Sequence, residues 1–169
     1  MDICVFDFTK KNFDNIQLNN EILSHCKTDK SIICAKALLS MGVVNLHYNE
    51  KGKPLSDNCF VSISHSKNMC CVCKSQNPIG IDIEFLESKR DFKSLAKKYF
   101  KGSELSYFNK NPTAKIFYEI WTKKEAYSKI SGLGLKEIIK GFDVFTVKNY
   151  KFKTEYSSEF VFSVCEKTT

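Results

Sequence analysis

Across 78–85 apolar and charged residues alternate, so that Ile81, Ile83 and Phe85 share one face of an extended strand and Asp82 and Glu84 share the other. Across 116–130 the period changes to that of a helix. Ile116, Phe117, Ile120, Trp121, Tyr127 and Ile130 form a stripe that faces a core. Glu125 and Lys129 are i,i+4 neighbours beside Trp121 and project side by side, with Lys124 adjacent.

The remaining elements follow from the same two periods. Residues 1–9 read as a strand, a helix lies within 19–25, and 30–41 is a second helix that Asp29 caps and Gly42 stops. Strands are expected at 43–48, 58–64 and 69–74, with a turn over 49–54 set by Gly52 and Pro54 and a hairpin-like loop over 64–68. Beyond the acidic strand, 91–100 is a helix with Phe92, Leu95, Ala96 and Tyr99 on one face, and 103–108 a short helical turn. Pro112 interrupts the loop 109–113. Gly132-Leu-Gly134 ends the central helix; it follows that helix, so it reads as a stop rather than a phosphate cradle. Strands at 142–147, 150–156 and 160–165 close the chain as a meander. Each half thus runs strand, helix, strands, an order compatible with internal duplication, although residue similarity between 31–42 and 120–132 is faint.

The 169 residues suit one domain or two small packed halves, and a chain of this size buries about 70% of its unfolded surface. With 26 Lys+Arg against 19 Asp+Glu, the net charge of +7 favours an anionic partner. The acid-interrupted N-terminus has no basic start and no long apolar core, and no run approaches the ~18 apolar residues of a membrane span. A cytoplasmic protein with reduced thiols is expected. Cys70 and Cys73 have Cys-x-x-Cys spacing near His65, but a second ligand pair is missing, so buried thiols in a strand are the better reading than zinc.

Two carboxylates on one strand face repel unless something positive sits between them, and a hard divalent cation is the natural candidate. Glu125 is a candidate third oxygen ligand. Mg²⁺ held by few carboxylates leaves positions for water and substrate phosphate, which points to phosphate chemistry. The bland alternative is that Glu125 and Lys129 form an ordinary solvated helix pair.

Gly80-Ile-Asp82-Ile-Glu84 followed by Trp121-Thr-Lys-Lys-Glu-Ala-Tyr-Ser-Lys129, with 43 positions from Asp82 to Glu125, resembles the paired signature of the 4′-phosphopantetheinyl transferases. That family's pattern is a GxD strand and then, at a similar interval, W-x-x-K-E-x-x-x-K. Gly52-Lys-Pro54 resembles its G-K-P turn, Phe60-Val-Ser-Ile-Ser-His-Ser66 its F-N-I-S-H-S segment, and Glu104 the acid after its aromatic region. The mid-chain Asp82 favours the surfactin-synthetase-activator type. The resemblance implies an α+β fold of two similar halves, 1–77 and 78–169, packed as a pseudo-twofold unit in a monomer. It implies that Asp82, Glu84 and Glu125 bind Mg²⁺, and that Lys30, Ser31, Lys53, Ser64, His65, Lys124 and Lys129 contact coenzyme A. A departure lies at 15–20, where the family carries basic residues and this chain has no Lys or Arg.

The activity so implied is transfer of the 4′-phosphopantetheine arm from coenzyme A to a serine of an acidic apo carrier protein, releasing adenosine 3′,5′-bisphosphate. Asp82, Glu125 and Lys129 would be the catalytic residues. Two alternatives are a catalytically silent relative and a basic RNA-binding module using Phe6, Phe8, Phe60, Phe142 and Phe145 on a sheet face. The first would be expected to have lost one of the four residues Asp82, Glu84, Glu125 and Lys129, all of which are present. Neither nucleic acid nor membrane is an expected partner.

Overall fold

The computed structural model describes residues 1–131 and 141–168. Its elements run β1 (Asp2–Asp7), α1 (Asn20–His25), α2 (Asp29–Ser40), β2 (His47–Tyr48), β3 (Pro54–Leu55), β4 (Phe60–Ser66), β5 (Met69–Ser75), β6 (Ile79–Phe85), α3 (Phe92–Tyr99), α4 (Gly102–Lys110), α5 (Ala114–Ser131), β7 (Tyr150–Tyr156) and β8 (Phe160–Lys167). Two antiparallel three-stranded sheets carry the architecture, in the orders β1-β5-β4 and β6-β8-β7. In both, a first strand is followed by helices and later by a hairpin whose second strand pairs with the first, although the connection in the first sheet carries two helices and the β2-β3 pair and that in the second carries three helices.

Each main helix lies on its own sheet. Cys34, Ala35, Ala37 and Leu38 of α2 are buried at 0% exposure in a core with Phe6, Val61, Cys70 and Val72. Thr28, not Asp29, caps α2: its hydroxyl accepts from Ser31 N while Ser31 Oγ accepts from Thr28 N. The longer α5 is buried on more than one side, by β6 and β8 beneath it and by α3 and α4 beside it. Its approach to β6 is so close that a Cβ at Gly80 would collide with the Ala126 carbonyl oxygen. Glycine at the head of the acidic strand is thereby explained: it lets the helix backbone sit on the strand.

The sheets meet where β4 runs beside β6, and a third core of Cys71, Cys73, Ile79, Ile81, Ile83, Phe162 and Val164 fills the seam. The alternation over 78–85 thus points the isoleucines into that core and turns Gly80, Asp82 and Glu84 toward α5. No backbone ladder joins β4 to β6 among the described residues. Serine hydroxyls bridge them instead, with Ile81 N donating to Ser62 Oγ and Phe85 N to Ser66 Oγ, each at 3.2 Å.

Several sequence expectations are corrected. The strand at 43–48 shrinks to His47–Tyr48, with Val44 exposed. The loop over 64–68 begins later than expected, because β4 continues to Ser66 and only Lys67 and Asn68 turn. The strand at 142–147 is absent. Val144 N donates to Glu104 Oε1 and Asp143 accepts from Ser103 N, so these side-chain bonds hold the segment against the start of α4. Gly132-Leu-Gly134 lies outside the described residues. All eight cysteines are free, with Cys70, Cys71 and Cys73 buried in β5. The five phenylalanines do not form one sheet face: Phe6 is buried, Phe142 stacks on Tyr127, and Phe145 lies in no strand.

Candidate active site

A cleft of about 400 Å³ opens at the seam between the two sheets. Ser31 from α2, Ser64 and His65 from β4, Asp82 from β6, and Glu125 and Lys129 from α5 line it together. Residues far apart in the chain converge because α5 rests on β6 and β6 abuts β4. The cleft wall also contains His25 and Tyr48, whose rings stack 5.4 Å apart. Periodicity gave no signal for this pair, since neither residue belongs to a recognisable motif.

Asp82 is the hub. Its side chain is 8% exposed, and Oδ1 accepts from Ser64 Oγ at 2.7 Å and from Lys129 Nζ at 3.0 Å. The other oxygen, Oδ2, is buried without a hydrogen-bond partner. An orphaned buried carboxylate oxygen is costly unless something positive completes it. Lys129 does not do so, because its ammonium donates to Ile81 O at 2.7 Å and Ile63 O at 3.2 Å besides Oδ1. Burial works against the Lys129 charge, but Asp82, Cys71 and Glu125 together outweigh it and raise its pKa.

The other two acids sense Asp82. Burial, followed by the charge of Asp82, raises the pKa of Glu84; Ser66 Oγ donates to its Oε2 at 3.2 Å. Glu125 is pushed up to about 7 by burial and then by Asp82 and Glu84, with Lys129 pulling the other way. Among the described residues no three acidic, histidine or cysteine side chains converge into a ready metal cage. The donor set nevertheless fits a hard divalent cation: one orphan oxygen and two carboxylates whose ionisation is hindered by burial and by like-charged neighbours.

The remaining expected residues divide. Lys30 holds its ammonium over the Phe8 ring, 5.3 Å from the centroid, and its charge reaches His65. His65 is exposed. Burial, then Lys30, lowers its pKa. Lys53 sits between cleft-lining Gly52 and Pro54, but its ammonium donates to the Lys129 carbonyl at 2.7 Å, capping the end of α5. Burial lowers its pKa.

Lys124 is the clear departure. It is 0% exposed, and its ammonium lies 2.7 Å from both oxygens of Glu104, itself 0% exposed, and also donates to Phe142 O. A cation enclosed in this way does not reach the cleft, so the expected phosphate contact is replaced by a structural ion pair. Burial lowers the Lys124 pKa and raises that of Glu104, while their mutual attraction opposes both shifts. A roomier cleft of about 510 Å³ lies across the Lys53 turn, lined by Leu55, Phe60, Gln76, Ile79 and others, and it contains none of the three acids.

Comparison with known proteins identifies the family. The sequence profile of the 4′-phosphopantetheinyl transferase superfamily matches residues 78–164. The chain is 34% identical over 119 residues to 4′-phosphopantetheinyl transferase HetI of Nostoc sp., covering 64% of this chain and 50% of that protein. It is 32% identical over 122 residues to 4′-phosphopantetheinyl transferase Sfp of Bacillus subtilis, covering 68% and 53%. With 4′-phosphopantetheinyl transferase gsp of Aneurinibacillus migulanus the identity is 37% over 98 residues, covering 56% and 40%. The chain thus spans about half the length of these curated relatives, or less.

Proposed function

Because the chain belongs to the 4′-phosphopantetheinyl transferase superfamily, we propose that it moves the 4′-phosphopantetheine arm of coenzyme A onto a serine of an apo carrier protein. The observation that carries this reading is the single cleft that gathers Ser31, Ser64, His65, Asp82, Glu125 and Lys129 from both halves of the chain. Residues 1–77 would supply nucleotide contacts and 78–169 the metal site, the two halves being related by a pseudo-twofold.

Asp82, through its orphan Oδ2, would hold Mg²⁺ together with Glu84 and Glu125. When bound, Mg²⁺ supplies positive charge at the diphosphate as negative charge develops on the leaving oxygen. Lys129 holds Asp82 aimed through its bond to Oδ1, and would offer its charge to the phosphate oxygens at the cleft floor. Ser31, His65 and Lys30 would supply donors and positive charge to the nucleotide phosphates. The acceptor serine loses its hydroxyl proton to the Glu125 carboxylate as its oxygen forms a bond to the β-phosphorus. The bond from that phosphorus to the bridging oxygen breaks, and adenosine 3′,5′-bisphosphate leaves. Glu125 lines the cleft beside Asp82, where a carboxylate can take that proton.

Asp82→Asn tests the reading, since it keeps shape and hydrogen bonding while removing the anion. Arm transfer should fall by at least about a hundredfold, the scale on which loss of a charge-stabilising group acts, with the far-UV spectrum unchanged. Wild-type turnover by this variant would refute the metal assignment.

A further inference from the structure

We propose, on the reading that Asp82, Glu84 and Glu125 hold a divalent cation, that Ser66 is a positioning residue for the site: its hydroxyl aims the Glu84 carboxylate and locks β6 against β4 at once. Three serines, Ser62, Ser64 and Ser66, recur at every second position of β4 and each bonds to β6. Their tasks differ. Ser62 Oγ accepts from Ile81 N and, among the described contacts, touches no carboxylate. Ser64 Oγ donates to Asp82 Oδ1 at 2.7 Å. Ser66 performs both kinds of bond, accepting from Phe85 N and donating to Glu84 Oε2, each at 3.2 Å.

A hydroxyl carries one proton and two lone pairs, so a single oxygen can satisfy an amide and a carboxylate together. Serine is also short enough to leave the two strands side by side without a backbone ladder. Glu84 is half-buried and has three rotatable bonds, and its carboxylate takes a second hydrogen bond from the Trp121 side chain; a side chain released from Ser66 keeps that one tether and must be ordered more fully whenever the cation binds. Groups that orient a ligand in this way are worth on the order of 10- to 100-fold in metal affinity. The clamp leaves Glu84 Oε1 without a bond to Ser66, on the side chain next to Asp82 along the strand face.

The measurement is Mn²⁺ binding by electron paramagnetic resonance, with coenzyme A present and no acceptor, so that no turnover occurs. Ser66→Ala should weaken Mn²⁺ binding by about tenfold, and Ser66→Thr, which keeps the hydroxyl, should bind close to wild type. Ser62→Ala loses an equivalent strand bond and should lower the melting temperature without changing Mn²⁺ affinity. Unaltered Mn²⁺ affinity in folded Ser66→Ala would overturn the proposal, and so would an equal loss in Ser62→Ala. If Ser66→Ala does not fold, Ser66→Cys carries the same comparison, its weak thiol donor predicting intermediate Mn²⁺ binding and wild-type affinity overturning the proposal. A wild-type protein that binds no Mn²⁺ in the presence of coenzyme A would instead contradict the underlying metal assignment.

Discussion

Glu125 ties the electrostatics of the cleft to its use. A carboxyl whose pKa rises from 4.5 in the unfolded chain to about 7 in the folded one keeps its proton in the folded state where the unfolded state has lost it. Between those values the folded protein binds more protons, so this group's contribution to stability falls as pH rises through the window. A divalent cation favours the ionised form and opposes the loss. Mg²⁺ with coenzyme A should therefore raise the melting temperature more at about pH 7.5 than at about pH 5.5, with Glu125→Gln flattening the difference. Equal responses at both pH values would contradict the coupling. Lys124 gives the opposite lesson. Breaking its enclosed pair with Glu104 by Lys124→Met leaves an uncompensated buried carboxylate and should cost about 3–5 kcal/mol in a denaturant titration. Protein that remains folded should keep its KM for coenzyme A, whereas a KM raised without loss of stability would return Lys124 to the phosphate site. The sequence could not distinguish Lys124 from Lys129: both follow Trp121 on one helix, and only the burial of Glu104, invisible in its local pattern, separates them.

Among the elements, α5 and β6 matter most, and Gly80 sets their separation. In Gly80→Ala the new methyl meets the Ala126 carbonyl and lies 3.2 Å from Ile130 Cγ1. Helix and strand must part, at about 1–3 kcal/mol or more, and Glu125 moves away from Asp82. Thermal melting and Mn²⁺ titration should deteriorate together; a variant as stable as wild type would disprove the close approach. Both elements were legible because each has an unambiguous period, alternation in one and the 3.6-residue repeat in the other. The segment 142–147 was not, because its apolar residues imitate a strand while Glu104, from elsewhere in the chain, takes the Val144 N–H and Asp143, within the segment, takes those of Phe145 and Ser103. The convergence of Ser64 and His65 with the acids was available from family resemblance, but the serine bridge that produces it was not. Nothing in the spacing of Ser62, Ser64 and Ser66 states that β6 is their partner.

For the whole molecule, the net charge of +7 has a local expression near the site. Lys93, Lys97, Lys98 and Lys101 are exposed along and just after α3, and Arg90, just before it, lies close enough to Glu84 to lower its pKa. An acidic carrier protein would meet this surface beside the acids. Its encounter should be steered electrostatically, so kcat/KM should fall as salt rises. Charge reversal by Lys93→Glu with Lys97→Glu should lower kcat/KM by about tenfold at low salt and much less at high salt, leaving kcat at saturating acceptor unchanged. Rates indifferent to salt and to these substitutions would remove the charge from the account. No helix among the described residues is long and apolar enough to cross a membrane. The central proposal is that Asp82, Glu84 and Glu125 hold one divalent cation and that beside it a phosphopantetheine arm passes to a carrier serine. Intact-mass spectrometry of acidic apo carrier proteins incubated with coenzyme A tests it most directly. The account predicts addition of one arm that stops with chelator, returns with Mg²⁺ and is lost in Asp82→Asn; addition that persists through chelation and in Asp82→Asn, or that occurs on no carrier protein, would contradict it.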